Sequence, residues 1–133
     1  METNAAIRNS ITPWLNVPSS KQAIEFYKAA FGAVEVFRLE NGDSVVARLS
    51  VEGAELWVGD ESSQHFNFSP QALNGSTVRI IFSVADPDAM VARAVAAGAS
   101  EVYPVAQRHG WRLGRIADPY GHQWEIGRPP MEA

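Results

Sequence analysis

The phrase DPYGHQWEIG, residues 118 to 127, places a single carboxylate, Glu125, shortly after His122 in a turn-like context. Glu125 is therefore either a metal ligand or only a polar residue on a strand. Partners for a metal site are scarce. His65 and His109 lie in loop-like stretches 44 residues apart (109 − 65), with neither HxH nor HExxH spacing. The chain has no Cys, which removes thiolate sites, cysteine nucleophiles and disulfides. No GxSxG marks a serine nucleophile, and GRIADPYG has the wrong context for a phosphate-cradling loop. The other candidates bind rather than react. They are the rings of Trp14, Trp57 and Trp111, with Phe66 and Phe68, and the polar groups of Asn16, Arg48 and Arg79.

These residues must be positioned by elements, and the elements repeat. A helix is expected from Ser19, which forms a capping box with Gln22, through Ala23, Ile24, Tyr27, Ala30 and Phe31 to a stop at Gly32. A second is expected from Asp86 and Pro87 through Met90, Val91, Ala94 and Val95 to Gly98. Strand-like runs precede both, Ile11 to Val17 and Val78 to Val84. The matching phrases GAVEVF and GASEVY follow them at an offset of 66 (98 − 32). RLSVEGAELWVG from Arg48 likewise aligns with RIADPYGHQWEIG from Arg115, at 67 (115 − 48). Each unit reads strand, helix, three strands. Asn41 and Gly42 signal a hairpin in the first, and Asp118, Pro119 and Gly121 signal a type I turn in the second. The fold class is α+β: one domain over 8–128, with module 1 at about 8–60, a loop linker at 61–75 and module 2 at about 76–128. A unit of ~55 residues is too small to bury its sheet alone.

With 133 residues, 46% of them hydrophobic, the chain has material for one core. A net charge of −4, without a basic run, argues against nucleic acid. No apolar run is long enough for a bilayer, and METNAAIRNS lacks the apolar region of a signal peptide, so a cytoplasmic protein is expected.

Strand alternation assigns faces. Ile11, Leu15 and Val17, Val78 to Val84 in alternation, Leu56, Val58, Trp124 and Ile126 are expected against the helices. His122 shares that phase and reads as structural. The opposite face receives Thr12, Trp14, Asn16, Trp57, Arg79, Gln123 and Glu125, joined by Arg48 and Arg115. Two readings fit this face: a ligand cavity with few polar anchors, or a solvated or dimer-packed surface. Phe66, Phe68 and Trp111 either flank a ligand or, for the linker pair, cover the cavity mouth or a dimer seam.

The paired units, TPWLNVPSSKQAIEFYKAAFGAVEVF and GWRLGRIADPYGHQWEIGRP, resemble the vicinal oxygen chelate superfamily, which includes glyoxalase I, bleomycin-resistance proteins and extradiol dioxygenases. The short PhnB-like branch is the nearest in pattern. The resemblance implies two βαβββ modules forming a curved mixed sheet around a cavity, a homodimer, and a small organic ligand such as an antibiotic or metabolite. Metal-dependent members carry one ligand on each of four strands. Those positions correspond here to Thr12, Trp57, Arg79 and Glu125, of which only Glu125 is a ligand type.

One carboxylate cannot hold a divalent ion, and the fixed charge of Arg79 opposes one. Glu125 and Arg79 are expected either to pair with each other or to serve as separate anchors. The preferred reading is metal-independent binding by stacking on Trp14 and Trp57, with Asn16, Arg48, Arg79, Glu125 and Trp111 as further ligand contacts. Whether turnover follows is left open. The alternative is a metal-dependent lyase or dioxygenase in which Glu125 is joined by His65 or His109.

Overall fold

The computed structural model describes residues 7–130. The elements are β1 (Trp14–Val17), α1 (Ser20–Phe31), β2 (Val34–Asn41), β3 (Ser44–Val51), β4 (Ala54–Asp60), α2 (Pro70–Leu73), β5 (Arg79–Ser83), α3 (Pro87–Ala97), β6 (Ser100–Arg108), β7 (Trp111–Ala117) and β8 (Gln123–Arg128). They form two four-stranded sheets, ordered β1-β4-β3-β2 and β5-β8-β7-β6. In each, the first strand runs parallel to the last and the other pairs are antiparallel. The repeat in the sequence is thus a repeat in topology.

The two long helices start and stop where the capping residues put them. Ser19 Oγ accepts the Gln22 N–H at 3.4 Å, and Gly32 adopts the left-handed conformation (φ 73°) that ends α1. Asp86 accepts the Ala89 N–H at 3.1 Å, with Pro87 opening α3. The buried face of α1 presents Ala23, Ile24, Phe26, Tyr27, Ala30 and Phe31. It covers Leu15, Val17, Leu49 and Val58 of the first sheet and meets Trp124 of the second, whose ring lies 4.8 Å from Phe31. Polar contacts join the modules as well. Tyr27 of α1 donates to Asp118 in the β7–β8 turn, and His122 Nε2 donates to the Asn16 carbonyl at 2.8 Å.

Several boundaries differ from the sequence expectation. β1 starts at Trp14, leaving Ile11 fully exposed, because its partner strand pairs only from Trp57 onward and Pro13 has no N–H to offer. Val78 is 64% exposed for the same kind of reason: β5 begins at Arg79, the partner of Gln123. Val95 is also exposed, since Val91 and Ala94 complete the buried side of α3. Asn41 pairs with Ser44, so the first hairpin turns on Gly42 and Asp43, with Gly42 (φ 64°) at the first central position, where a type II′ turn needs it. The linker, expected as a loop, contains a 3-10 turn at Ser63–His65 and the short α2, capped by Ser69.

Candidate functional site

On the sheet face turned away from the helices, one row of side chains crosses all four strands of module 1. The strand register places Trp14 beside Trp57, Trp57 beside Arg48, and Arg48 beside Phe37. The two indoles are nearly parallel, 13° apart with centroids at 5.9 Å, and Phe37 approaches Trp57 edge-on at 5.8 Å. The Arg48 guanidinium sits over the Trp57 ring, 5.6 Å from its centroid, in a cation–π contact. Trp14 is held by its own strand: Nε1 donates to Asn16 Oδ1 at 2.9 Å. Gly59 makes room for that ring, because a Cβ there would lie 2.4 Å from a ring carbon. Trp14 and Phe37 remain 46% and 44% exposed, so the row presents aromatic surface to solvent.

The equivalent row of module 2 is Ile81, Glu125, Arg115 and Tyr103, again neighbours in register across β5, β8, β7 and β6. Its centre is ionic. Glu125 Oε1 accepts from Arg79 Nη1 and from Arg115 Nη2, both at 2.9 Å, and the Arg115 guanidinium lies 5.4 Å from the Tyr103 ring centroid. Glu125 therefore does pair with Arg79, and Arg115 joins them.

The four positions that hold a metal in the resembling superfamily suit one poorly. Thr12 precedes β1, Trp57 is part of the aromatic row, Arg79 carries a fixed positive charge, and the Glu125 carboxylate is committed to two guanidinium groups. Among the described residues, no three His, Asp or Glu side chains gather as a potential ion site. His65 binds Ser62 through Nδ1 at 2.8 Å on the linker, and His109 occupies the β6–β7 turn with φ 53°.

The structure thus divides the sequence candidates into two groups. Trp14, Asn16, Arg48 and Trp57 cluster on module 1, and Arg79 and Glu125 on module 2. Trp111 shares the outer face of β7 but stands four residues from Arg115, about 13 Å along the strand. Phe68 lines a groove of about 610 Å³ with Trp14, Leu73, Val78 and His122, whereas Phe66 is 82% exposed. A wider cleft of about 920 Å³ lies elsewhere, between the β3–β4 turn and the start of α3, and none of the predicted binding residues lines it. Phe37 and Tyr103 were not among the sequence candidates. The aromatic that closes each repeated phrase, GAVEVF and GASEVY, was the available signal.

Comparison with known proteins gives these features a context. Residues 14–127 match the family model described as a glyoxalase-like domain. An uncharacterised protein of Mycobacterium bovis is 36% identical over 132 residues, spanning 95% of this chain and 87% of the relative. An Arabidopsis thaliana gene product of known crystal structure is 30% identical, with a TM-score of 0.70 over 92% of this chain and 100% of its own. The fosfomycin resistance protein FosX of Listeria monocytogenes, crystallised with Mn(II) and sulfate, shares the fold at 17% identity, with a TM-score of 0.68 over 94% of this chain and 95% of its own.

Proposed function

Since the chain belongs to the glyoxalase-like domain family of the vicinal oxygen chelate superfamily, we propose that it binds a small organic molecule on the outer sheet face and does so without a metal. The observation that carries this reading is the indole pair of exposed Trp14 and half-buried Trp57, flanked by the Arg48 guanidinium and the Phe37 ring. Four adjacent strands fix these groups before any ligand arrives, which lowers the ordering cost of binding. A planar or apolar compound gains contact area on the rings. Asn16 and Arg48 offer polar anchors on module 1, and Arg79 and Glu125 on module 2. The compound is an antibiotic or metabolite that is sequestered or processed. The protein works as a homodimer. Exposed apolar side chains on the edge strand β2, among them Val34, Phe37 and Leu39, support self-association.

A thermal-shift screen of planar compounds, run alongside elemental analysis and light scattering, tests the reading. A true ligand at 100 times its Kd adds about 2.7 kcal/mol of stability. The expected outcome is a raised melting temperature that Trp57→Ala abolishes without unfolding the protein, no stoichiometric transition metal, and a dimer mass. A shift retained in Trp57→Ala, or tight metal at one per chain, overturns it.

A further inference from the structure

We infer that the site selects an aromatic anion and that Arg48 is the residue that makes it selective, which rests on the ring-binding reading above. The two rows of side chains hold the same places in the repeat. Arg48 corresponds to Arg115 at an offset of 67 (115 − 48), and Trp57 to Glu125 at 68 (125 − 57). In module 2 the strand neighbour of the arginine is a carboxylate, which accepts from Arg115 at 2.9 Å. In module 1 the same neighbour is Trp57, which supplies a ring and no charge. Arg48 is the arginine whose in-register carboxylate the repeat replaces with a ring, and Glu55 is the carboxylate left beside it.

Its ion pair with Glu55 is long, 3.6 Å from Nε, too far for a hydrogen bond, and among the described residues the buried Arg48 Nε has no hydrogen-bond partner. Arg115 Nε also has no partner among the described residues, but Glu125 meets the charge of that guanidinium. The Arg48 side chain is 39% exposed, so a ligand carboxylate can meet the guanidinium from solvent and supply the charge-assisted hydrogen bond that Glu55 does not. Because Arg48 stands beside Trp57 in the same row, a planar molecule laid across Trp14 and Trp57 has its edge near the guanidinium. The fitting ligand is a planar ring system bearing an acidic group at its edge. Arg79 and Arg115 are poorer anchors because they share the Glu125 carboxylate.

Matched probes test this: naphthalene-2-carboxylate and naphthalene-2-carboxamide, titrated into the full chain with calorimetric detection. The carboxylate is expected to bind roughly tenfold tighter, the effect of one charge-assisted hydrogen bond at a half-exposed site. Arg48→Gln should equalise the two probes by weakening only the acid. Glu55→Gln, which removes the competing carboxylate, should keep or widen the preference, and this provides an independent arm should Arg48→Gln fail to fold. Equal affinity of both probes for the native protein, or a lost preference in Glu55→Gln, overturns the role of Arg48 and leaves ring binding standing. If neither probe binds at millimolar concentration, the ring-binding reading falls with it.

Discussion

Tyr27 donates a hydrogen bond to Asp118 Oδ2 at 2.5 Å, although 91 residues separate the two. Asp118 also accepts from Trp124 Nε1 and from the backbone N–H groups of Tyr120 and His122, each at 3.0 Å. A helix of the first module thus fixes the turn that feeds the last strand of the second. Removing the hydroxyl with Tyr27→Phe keeps the ring packing and deletes one bond to a buried carboxylate, so it should cost about 2 kcal/mol. Asp118→Ala should cost more, because four donors lose their acceptor at once. Urea denaturation of the two variants should give that order, and equal midpoints would contradict it.

The same phenol should set an alkaline limit to stability. Burial, with the neighbouring Asp118 charge, pushes the Tyr27 pKa well above its ordinary value of 10.0. The unfolded chain therefore releases this proton at lower pH than the folded chain. Stability contributed by Tyr27 is fully present below about pH 10 and falls as the pH rises toward the folded pKa. Tyr120, also raised by burial, adds to the same slope. Denaturation curves between about pH 8 and 11, which spans phenol titration, should show falling stability in the native protein and a shallower fall in Tyr27→Phe.

Much of the scaffold was legible because its signals are local. Ser19, Gly32, Asp86, Pro87 and Gly98 mark helix ends through backbone chemistry that acts within a few residues. The repeat made the topology readable, since a phrase that recurs with its helix and strands must recur in structure. The face of Trp14, Trp57 and Glu125 followed from alternation along strands whose other side is buried, and that of Arg79 from the alternation of β5, whose other side is half-buried. Phe37 and Tyr103 escaped the same test. Their edge strands have little burial on either face, and the pairing register shifts at Glu35/Phe37 and at Glu101/Tyr103. A bulge changes which face a residue occupies, and the residue types there do not announce it. The second arginine on Glu125 needed the register between β7 and β8.

Gly59 should be a more sensitive position for binding than for folding. An added Cβ would meet the Trp14 ring at 2.4 Å, but that ring is 46% exposed and can be displaced toward solvent at the cost of its hydrogen bond to Asn16. Gly59→Ala is therefore expected to cost about 1 kcal/mol in stability, at the low end for an overpacked site. Displacing Trp14 breaks its parallel contact with Trp57, so stacking ligands should weaken severalfold. Quenching of tryptophan fluorescence by a planar probe, compared with the melting temperature of the same variant, separates the two effects. A large loss of stability with unchanged binding would place Gly59 in the core rather than under the site.

The ion pairs at Glu125 are unequal, and the inequality can be measured. Arg79 is 56% exposed on its side chain, whereas Arg115 and Glu125 are 21% and 19% exposed. Solvent screens the first pair strongly, so Arg79→Ala should change stability by less than about 1 kcal/mol. Arg115→Ala should cost more, since it removes the better shielded partner and the contact with the Tyr103 ring. Glu125→Gln should fall between them or beyond, because it leaves two guanidinium groups facing each other without a counter-charge. A double-mutant cycle between Arg115 and Glu125 should return a larger coupling than one between Arg79 and Glu125, and its magnitude should shrink less in high salt. If Glu125 were instead held chiefly by a metal ion, a chelator would destabilise the native protein and not Glu125→Gln. The expected result is no chelator effect on either.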